Sequence, residues 1–400
     1  MSEAVRGPMG GGRVLVVSPD AAGPLDRGFR IRVHHLVSAL ASEHRVSLLA
    51  VGPRDERVAA SLATKGVDLV VVDDPDPPRR WMHDLTLAAT RRSVLWDRRR
   101  RARLRATAEG MLADGMFDAV QVERPELVGL ARPGHVPVVL DCHNLWGELE
   151  ARRADRATGG RPRRLRMVEV GRYTSAERQA WGRATACLAT SPREAAIIGS
   201  CGARRVVVVP NGTDTSIALT ERTPATPPEL LFVGLLSYGP NADAVRWCVD
   251  AIMPAIWRRL PDATLVVVGG QASEELRRLA GPRVRFEGAV EDVGPHLSRA
   301  AAVMVPLRIG SGTRLKILDA FGAGRPVVAT TIGAEGLAVR DGDQLLVRDE
   351  PEAFGSAVIR VVTEPELAAR LGRSGSELVA RTYAWERATA PMLQLYRELL

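Results

Sequence analysis

Short β-branched apolar runs alternate with amphipathic helical stretches along nearly the whole chain, and no other feature constrains its fold as tightly. Strands that recur with a helical segment between them pair in parallel, because a parallel neighbour is reached only through a crossover. In the first half the runs are 13–18, 45–51, 67–72, 119–122, 136–141, 186–190 and 206–209, with a Pro/Gly loop at 19–28 and a helical pattern at 30–42 after the first. Residues 218–228, rich in Thr and Pro, break the rhythm and read as a linker. The alternation restarts at 229–234, 263–269, 284–287, 302–306, 327–330 and 344–347. Helices are expected at 242–259, 273–280, 294–300, 313–322, 351–363 and 365–382. The expected class is therefore α/β with two Rossmann-like domains, 13–217 and 229–383, joined by the linker 218–228. The 400 residues suit two cores better than one, since single cores stop growing near about 250–300 residues.

Charge and composition remove several function classes. The net charge of +8 comes almost entirely from arginine, dense between Arg79 and Arg105 and again from Arg152 to Arg172. No helix-turn-helix, zinc-finger or aromatic-studded RNA-binding pattern accompanies it, and aromatics are 4% of the chain, so nucleic acid is not an expected partner. The arginines read first as a solvated helix face, then as attraction to anionic lipid head groups or a phosphorylated substrate. No run approaches the ~20 apolar residues of a membrane helix, and the four cysteines, Cys142, Cys187, Cys201 and Cys248, lack metal-ligand spacing. The expectation is a cytoplasmic protein with reduced, structural cysteines.

In doubly wound sheets ligands bind beyond the carboxyl ends of strands, so the residues after each strand carry the chemistry. The richest such stretch runs from Pro306 to Thr330 and contains Gly310-Ser311-Gly312-Thr313-Arg314-Leu315-Lys316. A glycine-rich loop that opens a helix offers free N–H groups and the positive helix end, which suits a phosphate. Arg314 and Lys316 oppose the helix dipole in what reads as its first turn, as a nearby diphosphate would require.

These residues resemble the retaining GT-B glycosyltransferases of family 4, over about residues 13–390. The resemblance implies two Rossmann-like domains facing a cleft, with the last helix, 384–400, crossing back onto the N-terminal domain through Trp385, Met392, Leu395 and Tyr396. The family pattern of two acids across this strand, loop and helix is met by Asp319 at the second position, implied to hold the ribose, while Ser311 stands at the first, which would touch the sugar. The sub-branch pattern G-T-R-L-K-I-L-E/D-A continues through Ala323 to Ala329 and Gly333-Ala-Glu-Gly336. The Arg and Lys usual after the first strand of the second domain are missing from the stretch that begins at Gly234, so Arg308, Arg314 and Lys316 are the expected substitutes. Asn241 and Asp243 read as helix N-caps ahead of ligand contacts. The segment Phe286 to Val290 resembles the strand end whose backbone meets the base. Gly28 with Arg30 and Arg32 resembles the acceptor loop and first helix, and His143, after the strand 136–141, stands where the family places a histidine facing the donor sugar.

The resemblance implies transfer of a sugar from a nucleotide-diphosphate sugar to a hydroxyl acceptor, a glycan, glycolipid or small molecule. His143, Arg314 and Lys316 are the catalytic candidates. No cofactor and no metal are expected, and a peripheral contact with an anionic inner-membrane face follows if the acceptor is lipid-linked. A metal reading of Asp74-x-Asp76 competes, but it leaves the second domain unexplained. Two other classes remain open in the sequence: a nucleotide-sugar epimerase, and a catalytically weak binding or regulatory homologue that Ser311 would suit.

Overall fold

A computed structural model describes residues 11–73, 98–130, 136–156, 160–214 and 224–400. The chain divides into two compact units, Met1–Val209 with Thr389–Leu400, and Pro210–Ala388.

The N-terminal unit is built on a seven-stranded parallel sheet of order β3-β2-β1-β4-β5-β6-β7. Its strands are β1 (Arg13–Ser18), β2 (Arg45–Val51), β3 (Val67–Val72), β4 (Ala119–Val122), β5 (Val138–Cys142), β6 (Ala186–Ala189) and β7 (Val206–Val208). Successive β1 side chains enter opposite cores: Val14 and Val16 pack with Leu36 and Leu48, while Leu15 and Val17 pack with Leu104 and Trp181. A sheet covered on both faces has no polar side to show, hence the unbroken apolar runs. The final helix, Trp385–Leu399, ends in this unit, with Met392, Leu395 and Tyr396 fully buried against Val14, Val16 and Leu36.

The second unit carries a six-stranded sheet of order β10-β9-β8-β11-β12-β13, also parallel. Here β8 is Glu229–Val233, β9 Thr264–Val268, β10 Val284–Gly288, β11 Ala300–Val305, β12 Val327–Ala329 and β13 Leu346–Val347. Both sheets reverse direction of winding beside their first strand, between β1 and β4 and between β8 and β11. The carboxyl ends at these switch points are where such sheets bind ligands.

Two boundaries and one packing contact differ from the sequence expectation. The expected linker 218–228 lies partly outside the described residues, and the change of unit comes earlier, at Pro210, because Thr213 is tied to the C-terminal unit through its N–H to the Tyr383 carbonyl at 2.9 Å. The helix expected at 242–259 is Gly239–Trp247 followed by a wider π turn at Cys248–Ile252 and a short helix Met253–Trp257. Pro254 explains the break, since it donates no N–H and crowds the preceding turn. Trp385 does not join its expected apolar stripe, but packs on Gly212, where an added Cβ would fall 2.7 Å from its ring. The acidic pair Asp74 and Asp76 lies outside the described residues.

Candidate active site

In the C-terminal unit the site is built at the ends of β8 and β11. The helix after β11 is Leu315–Gly322, two residues later than expected: the chain turns at Gly312, at a left-handed φ of 76°, and is still extended at Arg314, at φ −99° and ψ 94°. Arg314 therefore sits at the helix N-cap rather than in its first turn. Its guanidinium turns back and donates to the carbonyls of Ser311, Gly312 and Ile332, the last at 3.2 Å. A Cβ on Gly310 would lie 2.4 Å from that guanidinium, so a larger residue there would displace the Arg314 side chain. Arg314 thus fixes the loop's shape, a correction to its expected role as a cation aimed at phosphate. Ser311 and Thr313 are buried in this loop, and Thr313 Oγ1 accepts from Asn211 Nδ2 at 2.8 Å.

Arg308 is corrected in the same way. It forms a two-pronged ion pair with Asp243, at 2.6 and 3.1 Å, and lies over the Trp247 ring at 5.0 Å. Asp243 and Asn241 are not N-caps, because their helix starts two residues earlier at Gly239 with Tyr238 as its cap. Asn241 instead donates to the Leu235 carbonyl at 2.9 Å and accepts from Lys316 Nζ at 2.9 Å.

Lys316 lies in the first turn of the helix Leu315–Gly322. Its ammonium is held by this neutral amide and by the face of Phe232 at 4.2 Å, and a Cβ on Gly234 would stand 2.8 Å from it. Burial, with Arg314 adding repulsion, brings its pKa down to about 7. A lysine so placed gains most from an arriving anion, which supplies the counter-charge that the protein withholds. Asp319, one turn further along the helix, accepts from Thr213 Oγ1 at 2.7 Å, and burial raises its pKa to about 6. Val290 lies in the loop after β10, its side chain packed against the core of this unit.

In the N-terminal unit a second group lies at the ends of β4 and β5. The register that pairs Val122 with Leu140 brings Glu123 beside Asp141. His143 Nε2 lies 2.7 Å from Glu123 Oε2 and 3.3 Å from Asp141 Oδ2. Glu123 also accepts from Gln121 at 2.7 Å, and Tyr396 donates to Gln121 at 3.0 Å, so the C-terminal segment buttresses the histidine's partner. Burial, then the neighbouring Asp141, pushes the Glu123 carboxyl up. Burial works the same way on Asp141, but Arg32 and His143 outweigh it and hold its pKa below the usual value. Glu123, Asp141 and His143 approach closely enough to hold a cation, but Asp141 already meets a guanidinium.

That guanidinium belongs to Arg32, which bonds both Asp141 oxygens at 2.7 and 2.8 Å and the Val209 carbonyl at 2.9 Å. At 1% exposure Arg32 is a core ion pair and not an acceptor contact. Arg30 is likewise spent internally: it binds Asp20 at 2.6 Å, Asp26 at 3.0 Å and the Pro24 carbonyl at 3.1 Å, stapling the loop after β1. Gly28 opens the helix Gly28–Leu40 and is exposed; the ring of the next residue, Phe29, lies 4.5 Å from that of His143. Sequence reasoning missed Asn211, Thr213, Glu123 and Arg124. The last two stand directly after a strand, where the carboxyl-end rule points.

Two family models cover most of the chain: one described as "Glycosyltransferase Family 4" over residues 26–217 and one described as "Glycosyl transferases group 1" over residues 227–364. The chain belongs to the family 4 glycosyltransferases. Among curated relatives, phosphatidyl-myo-inositol mannosyltransferase of Mycolicibacterium smegmatis is 28% identical over 201 residues, 48% of this chain and 51% of the relative. The chain thus spans about half the length of the mannosyltransferases it matches. Glycogen synthase of Mycobacterium tuberculosis is 26% identical across 96% of this chain and 94% of its own. Anabaena HepE, solved in complex with UDP and glucose, superposes with a TM-score of 0.67 at 13% identity, covering 96% of this chain and 99% of that one. Sucrose-phosphate synthase from Thermosynechococcus elongatus superposes with a TM-score of 0.73 at 17% identity, over 97% and 99% of the two chains. With two parallel Rossmann-like sheets, this family 4 chain has the GT-B class of fold.

Proposed function

We propose that this chain is a retaining glycosyltransferase that moves a sugar from a nucleotide-diphosphate sugar to a hydroxyl acceptor, binding the donor in its C-terminal unit and the acceptor in its N-terminal unit. The observation that carries the reading is Lys316, a partly buried cation at a strand-end switch point, held by an amide and an aromatic face with no carboxylate to neutralise it among the contacts described. A diphosphate is the ligand that such a position favours, and the UDP and glucose of HepE and the mannosyltransferase relatives support the same chemistry. Lys316 and the N–H groups of the loop at Gly312 and Thr313 would stabilise the departing phosphate. The ribose hydroxyls would bond Asp319. His143, fixed by Glu123, would face the transferring sugar. In a front-face substitution the departing phosphate oxygen takes the acceptor proton, so neither a protein nucleophile nor a metal is required.

The acceptor class stays broad in this proposal: a glycan, a glycolipid or a small molecule. Among the described residues no helix is long and apolar enough to cross a membrane, and a peripheral contact at an anionic inner-membrane face goes with a lipid-linked acceptor. The test is a thermal-shift panel of nucleotide sugars, then mass spectrometry of products from candidate acceptors. The reading expects one donor to stabilise the chain and a glycosylated product to appear. It fails if no nucleotide sugar binds.

A further inference from the structure

The helix Trp146–Asp155 starts three residues after His143, and its own N-cap, Leu145, has no hydrogen-bonding atom in its side chain. The cap comes from another helix. Glu177, in Gly160–Arg183, is 4% exposed and accepts from the Trp146 N–H at 2.6 Å and from the Gly147 N–H at 3.0 Å, one bond to each carboxylate oxygen. First-turn N–H groups have no partner within their own helix, and the positive helix end favours a carboxylate there. The two helices meet this closely because residue 147 is glycine: a Cβ there would fall 2.4 Å from Thr174 Oγ1 and 3.3 Å from Glu177 Oε2. Tyr173, one turn before Glu177, stacks on the Trp146 ring with centroids 6.2 Å apart.

Glu177 lines the same small cavity as Glu123, Arg124, Asp141 and His143. Two more acids act on it from other elements, Glu126 from the turn Pro125–Leu130 and Glu194 from the helix Pro192–Ser200. Burial, opposed by the two N–H groups and reinforced by these acids, raises the Glu177 pKa to about 7. Once protonated, the carboxyl keeps one good acceptor oxygen for two N–H groups, so half of the cap is lost. We propose that Glu177 is a positioning residue of sugar transfer: its carboxylate caps the helix 146–155 and so fixes the segment 143–147 that presents His143, and protonation of Glu177 loosens that segment. The inference rests on the glycosyltransferase reading, which gives His143 a reaction to serve.

The test compares the full chain with Glu177→Gln, whose amide offers one acceptor oxygen to the two N–H groups at every pH. Tryptophan fluorescence is followed between about pH 5.5 and 8.5, as the difference between each protein and its Trp146→Phe counterpart. Wild type should show a transition with its midpoint near pH 7, and Glu177→Gln none. With the donor and acceptor found by the product screen both saturating, kcat of the two proteins should agree within about twofold near pH 6. Near pH 8 wild type should be about tenfold faster, with the donor KM unchanged. The other titratable groups are common to both proteins, so the ratio of rates isolates Glu177. A merely structural glutamate would give a ratio that does not vary with pH. That constant ratio, or a Trp146 signal with the same pH course in both proteins, overturns the proposal. Absence of any product from wild type strikes the glycosyltransferase reading instead, and the fluorescence comparison tells the two failures apart.

Discussion

Replacing Lys316 by Met should stabilise the unliganded protein while crippling donor binding. Folding takes the Lys316 pKa from 10.5 to about 7, chiefly by burial. A tenfold loss of proton affinity is worth about 1.4 kcal/mol, so the charged form costs the folded state up to roughly 5 kcal/mol below about pH 7. A lysine with a lowered pKa costs most where both states are protonated, and the cost fades as pH rises from about 7 towards 10.5, roughly 3 kcal/mol near pH 8. By its accessible surface Lys316 as a residue is only partly buried, which makes these upper bounds. Methionine also forfeits the bond to Asn241 and the Phe232 contact, about 1 kcal/mol each. The net gain should be about 2 kcal/mol near pH 6 and close to zero near pH 9. Thermal unfolding across that range measures it. Nucleoside diphosphate affinity should fall at least about tenfold, and wild-type binding near pH 8 should take up close to one proton, read by calorimetry in two buffers of different ionisation enthalpy. A stability change that does not vary with pH, or binding without proton uptake, would refute the reasoning.

Asp319→Asn follows the same logic with the opposite charge. The folded pKa is raised to about 6, so the carboxylate's cost grows as pH rises from the ordinary value of 3.8 and is full above about 6. The amide should therefore stabilise the protein at neutral pH by about 1–2 kcal/mol while donor affinity falls and acceptor affinity holds, checked by calorimetry. Arg32→Met leaves Asp141 buried without its guanidinium and should cost about 3–5 kcal/mol in denaturant unfolding, against less than about 1 kcal/mol for an exposed arginine such as Arg258. Leu395→Ala should cost about 2–5 kcal/mol, because its side chain is fully buried in the core of the N-terminal unit.

Much of the fold was legible because the sheets are covered by helices, so that the strands are short runs dominated by apolar residues, unbroken in β1 from Val14 to Val17 and in β9 from Leu265 to Val268. Where local chemistry competes, the reading slipped: Pro254 broke an expected long helix, and an extended Arg314 holds the start of another at Leu315. Local backbone turns were legible, as at Gly234 and Gly312, which both have positive φ, whereas side-chain partners far away in the sequence were not. Arg32 meets Asp141 across 109 positions and Arg308 meets Asp243 across 65, separations that no local pattern encodes. Four arginines expected to face ligands, Arg30, Arg32, Arg308 and Arg314, therefore bond to groups of the protein itself.

The central claim is retaining transfer without a metal, and the anomeric configuration of the first-formed product tests it most directly. With the donor identified by thermal shift, proton NMR during turnover in excess EDTA should show a product with the donor's own anomeric configuration, formed at the rate seen without chelator. An inverted product, or activity lost to EDTA and restored by magnesium or manganese, would contradict the account.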